Sequence, residues 1–288
     1  MVRKTILNAL IVSFIYMFTA YCATTEPNST SNQLEFVILI TSYNNERWVH
    51  ENLESACYQK STNPYTVLYI NDCSSDKTGE AAATFVKEKG LENLVTIINN
   101  ENRIGAMANI YHGIHRYIPK NKIVVSLDGD DLLADNTVLL TLEKYYSDPA
   151  IWMTYGSAIK YPNGGRLSNC KKIDEEKLIN RELRQTRFTA THLRTFYAGL
   201  FMLIDEEHLK YKESFLTTAW DLAMMYPMLE MCAPKKPSEP NHSIFISEVL
   251  YKYRLNNPIS DFKVHRAKQM SMAKYIRKFT PYEPIDSF

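Results

Sequence analysis

The sequence predicts an α/β fold with a mostly parallel sheet, helices on both faces and a ligand cleft at one sheet edge. Apolar strand-like runs alternate four times with helix-like segments within about a hundred residues. Polar residues also follow each of the four runs. Because parallel strands end at the same edge of a sheet, these polar clusters predict one site outside the carboxyl ends of the strands.

The predicted elements follow one another in a regular order. Short apolar runs predict strands at residues 36–40, 65–70, 94–98 and 123–127. Apolar residues at helical spacing predict the intervening helices at residues 48–58, 79–89 and 106–117. Later in the chain, residues 244–253 predict a further strand and a helix is expected to begin near Asp221. Residues 263–288 are expected to form a basic helix and a tail.

The fourth predicted strand ends in an acidic turn, Asp128-Gly129-Asp130-Asp131. Like charges repel one another, so this cluster needs a cation or strong solvation at pH 7. Carboxylate oxygens suit Mg²⁺ or Mn²⁺, and Mg²⁺ is commonly bound through one or two carboxylates plus substrate phosphates. We expect Gly129 to permit the tight turn that brings Asp128 and Asp130 together. The alternative is an ordinary polar turn, because Asp and Gly are common turn residues.

Composition narrows the class of protein. The 288 residues suffice for one large α/β domain or two small ones. A net charge of +1 gives no electrostatic reason to expect nucleic-acid binding. The five cysteines form no Cys-x-x-Cys pair and no spaced Cys/His set, so the sequence does not support a zinc site or a disulfide framework.

The amino terminus differs in character from the rest of the chain. Residues 1–23 combine a basic start, an apolar stretch and a small-residue end, which predicts a signal peptide or a signal anchor. Residues 24–34 form a polar linker with no pattern. The globular part is therefore expected to begin near residue 35.

Four segments resemble the nucleotide-sugar half of a family 2 glycosyltransferase with the GT-A fold. They are ILITSYNNE (38–46), YINDCSSDKT (69–78), NENRIGAMAN (100–109) and VVSLDGDD (124–131), in the family's order. The last resembles the strand that ends in the family's Asp-x-Asp metal motif. This resemblance covers roughly residues 35–135 and implies a Rossmann-like GT-A sheet. It divides the domain into a nucleotide-sugar half, 35–135, and an acceptor half, 136–262.

The resemblance also implies roles for individual residues. The donor, expected to be a UDP-sugar, would be bound through Thr41, Tyr43, Glu46, Asp72, Asn102, Arg103 and Asp128. Asp130 would bind Mn²⁺ or Mg²⁺ on the diphosphate, and Asp221 would be the general base. Positions expected near the sugar or the acceptor are Gly199, Trp220 and Arg254. The acceptor is expected to be a hydroxyl group of a glycan, a lipid or a protein.

The chain departs from the family's pattern in the turn after the second strand. Asn71-Asp72-Cys73 stands where the family has Asp-Asp-Gly. Cys73 restricts the conformations of this turn, because glycine alone is free of a Cβ penalty. Asn71 in place of an acid weakens the expected contact with the base of the nucleotide.

The second half departs from the pattern at two places. Trp220 precedes Asp221 where the family usually has Glu, so Asp221 has the alternative role of complementing the amino end of its helix. Glu230 is a weaker alternative as base. Relatives often use a histidine near residues 253–261 to bind metal or phosphate, and this chain has none there. Arg254 or Asn256 is expected to substitute, or water to complete the metal site.

A stretch of basic residues lies between the two halves of the predicted site. We expect residues 166–187 to form a solvated face, with a mobile loop over the site as the alternative. The basic residues concerned are Arg166, Lys171, Lys172, Arg181, Arg184 and Arg187.

These observations favour a metal-dependent, inverting glycosyltransferase that uses a nucleotide-diphosphate sugar. A nucleotidyltransferase is one alternative, although residues 42–46 lack the glycine-rich basic loop typical of that class. A non-catalytic sugar-nucleotide-binding module is another. Because nucleotide sugars occur in the cytosol or the Golgi lumen, a freely secreted transferase would lack its donor. We therefore expect membrane association through an N-terminal signal anchor, with the secretory-pathway lumen after signal cleavage as the alternative.

Overall fold

Four parallel strands form the first part of the sheet, as the alternating pattern predicts. The structure, a computed structural model, describes residues 33–258 and 266–288. The strands are β1 (Phe36–Ser42), β2 (Tyr65–Asn71), β3 (Val95–Asn99) and β4 (Ile123–Asp128). They lie in the order β3-β2-β1-β4, so the carboxyl ends of β1, β2 and β4 meet at one edge.

Helices cover both faces of these strands. They are α1 (Val49–Cys57), α2 (Thr78–Glu88), α3 (Ala106–Tyr117) and α4 (Val138–Tyr146). Leu39 of β1 packs in one apolar cluster with Ile110 and Ile114 of α3. Its neighbours Ile38 and Ile40 pack in a second cluster on the other face, which includes residues of α1, α2 and α4. Successive side chains of β1 thus enter opposite cores, which explains why the strand is apolar throughout.

The second half of the chain extends the same sheet. The strands concerned are β5 (Leu132–Leu133), β6 (Met153–Tyr161), β7 (Arg194–Tyr197) and β10 (Ser243–Arg254). Strand β7 runs antiparallel to both β4 and β6, whereas β10 runs parallel to β6 and antiparallel to β5. Within the described residues the sheet has eight strands in the order β3-β2-β1-β4-β7-β6-β10-β5.

Short elements connect these strands. Helix α5 (Glu175–Ile179) precedes β7, and helix α6 (Ala198–Phe201) follows it directly. Strands β8 (Lys210–Tyr211) and β9 (Ser214–Phe215) form a separate small hairpin. The predicted α/β sheet therefore has a parallel first part and a mixed second part.

The carboxyl-terminal region packs on helix α7 (Trp220–Met231), which is buried from Leu222 onwards. Helix α8 (Arg266–Ile276) and the tail after it are joined to α7 through buried polar groups. Arg184 donates to both carboxylate oxygens of Glu230, at 2.6 and 2.7 Å, and to the carbonyl oxygen of Ile276 at 2.9 Å. The expectation of a solvated face at residues 166–187 is therefore wrong for Arg184, which is only 4% exposed.

The predicted amino-terminal segment, residues 1–23, lies outside the described residues, as does 24–32 of the linker. Among the helices of the described chain, none is long and apolar enough to cross a membrane. Residues Leu34–Phe288 form one compact unit. Cys57, Cys73, Cys170 and Cys232 are free thiols.

Candidate active site

A cavity of about 560 Å³ opens at the carboxyl ends of the parallel strands. Its volume is typical of a small-molecule site. The predicted residues that line it are Thr41, Tyr43, Asp72, Arg103, Asp128, Asp130, Trp220 and Asp221. Residues from both halves of the chain therefore meet in one place. Four other predicted residues, Glu46, Asn102, Gly199 and Arg254, are not part of the lining.

The acidic turn after β4 forms the floor of the cavity. Burial raises the pKa of Asp128 to about 6; the Arg194 guanidinium opposes this rise, while Asp130 and Asp221 add to it. Burial also raises the pKa of Asp130. The pKa of Asp131 is raised well above its usual range by burial and by the two neighbouring carboxylates. Burial thus disfavours the ionised form of these carboxylates, and a cation bound beside them would favour it.

Two polar side chains from other elements fix the backbone of this turn. Asn52, fully buried in α1, donates to the carbonyl oxygens of Asp128 at 3.0 Å and Asp131 at 2.8 Å. Arg254 of β10 donates from Nε to the carbonyl oxygen of Asp130 at 2.6 Å and from Nη2 to Glu51 at 2.7 Å. The turn is therefore held rigidly before any ligand is bound.

Asp131 belongs to the cavity lining, but its carboxylate is bonded within the protein. Its carboxylate accepts hydrogen bonds from Tyr251 Oη at 2.7 Å and from the backbone N–H of Arg254 at 2.6 Å. Asp128 and Asp130 are the carboxylates of the turn that remain for a ligand. Asp130 Oδ2 accepts one bond, from Asn257 Nδ2 at 2.7 Å.

Gly129 is required for a different reason from the one predicted. A Cβ atom at this position would lie 2.5 Å from Cβ and Oγ of Ser42 and 2.8 Å from its Cα. The positive-φ glycines of the described chain do not include Gly129. Close approach of the β4 turn to the end of β1, rather than a left-handed conformation, therefore demands a glycine.

The Tyr43 end of the cavity combines an aromatic face with a positive charge. The Arg103 guanidinium lies 3.7 Å from the centre of the Tyr43 ring. The Asp72 carboxylate accepts the backbone N–H groups of Ile104 and Gly105, both at 2.9 Å. Asp72 therefore fixes the loop that carries Arg103, in addition to lining the cavity.

Glu46 and Asn102 lie outside the cavity lining, where they would not contact the sugar-nucleotide donor. Glu46 accepts the backbone N–H of Lys77 at 3.1 Å, and its own N–H donates to Asp76 at 3.1 Å. This reciprocal pair joins the turns after β1 and β2. Asn102 is exposed on the loop after β3. The structure therefore gives Glu46 a positioning role and gives Asn102 no place in the cavity wall.

Gly199 and Arg254 also lie apart from the cavity. A Cβ atom on Gly199 would meet Phe288 at 2.9 Å and the carbonyl oxygen of Lys120 at 3.0 Å, so this glycine allows the chain terminus to pack closely. Arg254 is 3% exposed and stacks over Trp48, at 4.1 Å from the ring centre. Arg254 supports the acidic turn from behind instead of binding phosphate directly.

The acceptor side of the cavity is formed by α7 and β7. Asp221 lies in the first turn of α7, and its side chain is 22% exposed. Its Oδ2 is 3.7 Å from Nη2 of Arg194, a loose ion pair. The Trp220 ring lies beside the same guanidinium, 5.3 Å from ring centre to guanidinium carbon. Glu230 is eliminated as a base, because its carboxylate is buried in the ion pair with Arg184.

The lining residues that escaped the sequence-based prediction include His192, Arg194, Thr218 and Asn257. The side chain that donates to the Asp130 carboxylate is Asn257, whereas Arg254 contacts only the Asp130 carbonyl oxygen. The sequence does distinguish Arg194, because it is a charged residue at the start of a largely apolar run. Asn52 gave a similar signal as a polar residue on the apolar face of α1. No local pattern marks Asn257, whose partner is 127 residues away.

The residues at the acidic turn suit a divalent cation that a substrate helps to bind. No group of three His, Cys, Asp or Glu residues within ranges 33–258 and 266–288 is arranged to hold a metal alone. Asp128 and Asp130 nevertheless supply two carboxylates at one cavity wall. Mg²⁺ typically takes one or two carboxylates together with substrate phosphates and water, and Mn²⁺ favours the same oxygen ligands. The donor set therefore fits a cation that arrives with a diphosphate.

Comparison with protein families matches residues 37–209, more than half of the chain, to glycosyl transferase family 2. The chain belongs to glycosyltransferase family 2. The matched range includes the acidic turn and all of the four parallel strands except Phe36, the first residue of β1. No curated protein sequence matches the chain significantly.

Solved structures with a similar fold include TarS, a mannosyltransferase and a glucosyl-3-phosphoglycerate synthase. TarS 1-349 of S. aureus in complex with UDP has 16% sequence identity and a TM-score of 0.57, over 84% of this chain and 65% of that one. The mannosyltransferase PcManGT of Pyrobaculum calidifontis, with GDP-Man and Mn²⁺, has 17% identity and a TM-score of 0.55, over 94% and 73%. This chain thus spans about two thirds of the length of TarS 1-349.

A third structure extends the comparison. Glucosyl-3-phosphoglycerate synthase of Mycobacterium tuberculosis, in complex with Mn²⁺, UDP and phosphoglyceric acid, has 9% identity and a TM-score of 0.54. The alignment covers 86% of this chain and 80% of that one. At such identities the similarity shows the GT-A fold alone.

Proposed function

We propose that this protein transfers a sugar from a nucleotide-diphosphate sugar, expected to be a UDP-sugar, to an acceptor hydroxyl group. The observation that carries the proposal is the cavity in which Tyr43 and Arg103, the acidic turn and Asp221 face one another. An aromatic face for a base, carboxylates for a cation and a carboxylate on the acceptor side are the groups that this reaction requires. TarS binds UDP and UDP-GlcNAc, and PcManGT binds GDP-Man with Mn²⁺.

In this proposal the two ends of the cavity have separate tasks. Tyr43 and Arg103 bind the base and ribose, and Asp72 holds the Arg103 loop in place. Asp128 and Asp130 hold Mn²⁺ or Mg²⁺. When bound, this cation stabilises the negative charge that develops on the diphosphate leaving group.

Asp221 performs the proton transfer. Its carboxylate accepts the proton of the acceptor hydroxyl as the oxygen forms a bond to the anomeric carbon and the bond to the diphosphate breaks. A single displacement of this kind inverts the anomeric configuration. The partial exposure of Asp221 at the cavity leaves it accessible to an acceptor that enters from solvent.

The proposal is tested by replacing the expected metal ligand. We expect Asp130→Asn to lose Mn²⁺-dependent release of UDP or GDP from a panel of nucleotide sugars, because the amide is a weaker ligand for a hard cation. Isothermal titration of UDP with Mn²⁺ measures the same site without turnover. Asp148→Asn, at an exposed position after α4 and outside the cavity lining, is the matched control. If wild-type protein binds no nucleotide sugar, the proposal is wrong.

Membrane association through residues 1–23 remains part of the proposal. The apolar stretch in this range and the need for a nucleotide-sugar supply support it. Protease protection of a carboxy-terminal tag in sealed vesicles determines on which side of the membrane the enzyme lies. Recovery of the full-length protein in the soluble fraction would contradict an anchor.

A further inference from the structure

Arg194 occupies an unusual position at the boundary between the two halves of the cavity. It is the first residue of β7, and it pairs in register with Ser126 of β4, two residues before Asp128. Its side chain is 3% exposed, and the residue contributes to the cavity lining. The positively charged guanidinium of Arg194 is therefore buried near the carboxylates that are proposed to bind the metal ion.

The hydrogen-bonding capacity of Arg194 is largely unused. Nη2 lies 3.3 Å from Nε2 of His192 and 3.7 Å from the carboxylate of Asp221. Nε and Nη1 are buried and have no hydrogen-bond partner in the protein. Thr218 Oγ1 and His192 Nδ1, also from cavity-lining residues, lack partners as well. Burial of unpaired polar groups is unfavourable, so this cluster points to a ligand that completes it.

A buried arginine with a structural role looks different in the same protein. Arg184 directs Nε and Nη2 to Glu230 and Nη1 to the carbonyl oxygen of Ile276. Each of its nitrogens therefore has a protein partner. The fold thus supplies hydrogen-bond partners for every nitrogen of the buried Arg184 guanidinium. It leaves two nitrogens of the buried Arg194 guanidinium without a protein partner.

The surroundings of Arg194 select an oxyanion as the missing partner. The planar fork of a guanidinium matches the oxygens of a phosphate in a bidentate arrangement. Asp128 and Asp221 compensate the charge of Arg194 at a distance without bonding to Nε or Nη1. Asp128 would hold a cation bound at the acidic turn and would then compensate less of the charge of Arg194. A diphosphate is an anion that would supply this compensation.

We propose that the Arg194 guanidinium binds the terminal phosphate of the donor's diphosphate and stabilises the charge of the departing nucleoside diphosphate. This inference rests on the proposed function. Nε and Nη1 are enclosed in the cavity wall, so the contact requires a small rotation of the side chain towards the ligand. Arg194 would thus add a positive group from β7 to the charge that a cation held by Asp128 and Asp130 would supply.

The experiment compares nucleoside diphosphates with the corresponding monophosphates. Isothermal titration of UDP, UMP, GDP and GMP, each with and without Mn²⁺, measures how much the terminal phosphate adds to the affinity. We expect Arg194→Gln to weaken diphosphate binding about 10- to 100-fold, the equivalent of a charge-assisted hydrogen bond. Monophosphate binding should change much less. Arg194→Lys should restore only part of the loss, because an ammonium group lacks the planar fork.

The controls separate this role from a structural one. Arg116→Gln removes the same group from the exposed surface of α3 and should leave all affinities unchanged. If Arg194→Gln only destabilises the fold, monophosphate and diphosphate binding fall by the same factor, and the inference is overturned. Equal diphosphate affinity in wild type and Arg194→Gln overturns it too. Absence of nucleotide binding in wild-type protein refutes the proposed function itself, so the two failures are distinguishable.

Discussion

The two sides of the cavity differ in how completely their polar groups are bonded within the protein. On the donor side, the carboxylates of Asp72 and Asp131 each accept at least two hydrogen bonds, and Asn52 and Arg254 hold the backbone of the acidic turn. On the acceptor side, Arg194 and its neighbours have polar atoms with no protein partner. Asn52 Oδ1 also lacks a partner, but Asn52 lies outside the cavity lining. Among the residues that line the cavity, the fold bonds those near the acidic turn, whereas polar atoms that a ligand can pair remain on Arg194, His192 and Thr218.

The largest expected effect tests whether the acceptor side performs the chemistry. Asp221→Asn should lower kcat about 10²- to 10⁴-fold while leaving UDP affinity nearly unchanged, because an amide cannot accept the proton. Steady-state donor turnover and isothermal titration measure the two quantities. Glu80→Gln is the control, because it removes an acid from the first turn of α2, where the acid complements only the helix dipole. An unchanged kcat would assign Asp221 to that electrostatic role.

The next effect concerns stability outside the cavity. Glu230→Gln should lower the free energy of unfolding by about 3–5 kcal/mol, because Arg184 would remain buried with much of its charge uncompensated. Urea denaturation followed by circular dichroism measures this change. Glu175→Gln, in the exposed pair with Lys172, should have a far smaller effect. Equal effects of the two substitutions would show that the buried pair contributes no more than a surface one.

The pH dependence of cation binding sharpens the description of the donor side. Burial raises the pKa of Asp128 to about 6, so this carboxylate becomes protonated as the pH falls below 6. A protonated carboxylate does not bind a metal, and the affinity for Mn²⁺ in the presence of UDP should fall about tenfold per pH unit below pH 6. Titration calorimetry between pH 7 and pH 5 measures it. Asp128→Asn should bind Mn²⁺ more weakly and lose this part of the pH dependence.

The smallest effect concerns a strained turn on the donor side. Cys73 has a φ of 55°, a left-handed conformation that costs a residue with a Cβ atom about 1–2 kcal/mol. Cys73→Gly should relieve this strain, although the greater freedom of glycine in the unfolded chain offsets about half of the gain. We expect a net increase in the free energy of unfolding of at most about 1 kcal/mol. Cys73→Ala keeps the strain and removes the thiol contact with Glu101, which separates the two contributions.

The donor half was predictable because its signals are local. The strand at residues 123–128 was predicted to within one residue, since an uninterrupted apolar run is needed where both faces of a strand are buried. The acidic turn follows that strand directly in the sequence. Gly129 was predicted as necessary, but its reason, contact with Ser42, depends on a neighbouring strand. Local patterns thus identified the residue and missed the contact.

The sequence by itself determined the alternation of strands and helices, and hence the sheet edge at which the acidic turn lies. Only the tertiary structure decided which distant side chains reach that edge. Arg254 meets Glu51 across 203 residues, and Asn257 meets Asp130 across 127. Strand β7 also brings Arg194 next to Asp128 through its antiparallel register with β4. Such contacts follow from strand order and register, which arise from packing of the whole core, so no short stretch of sequence encodes them.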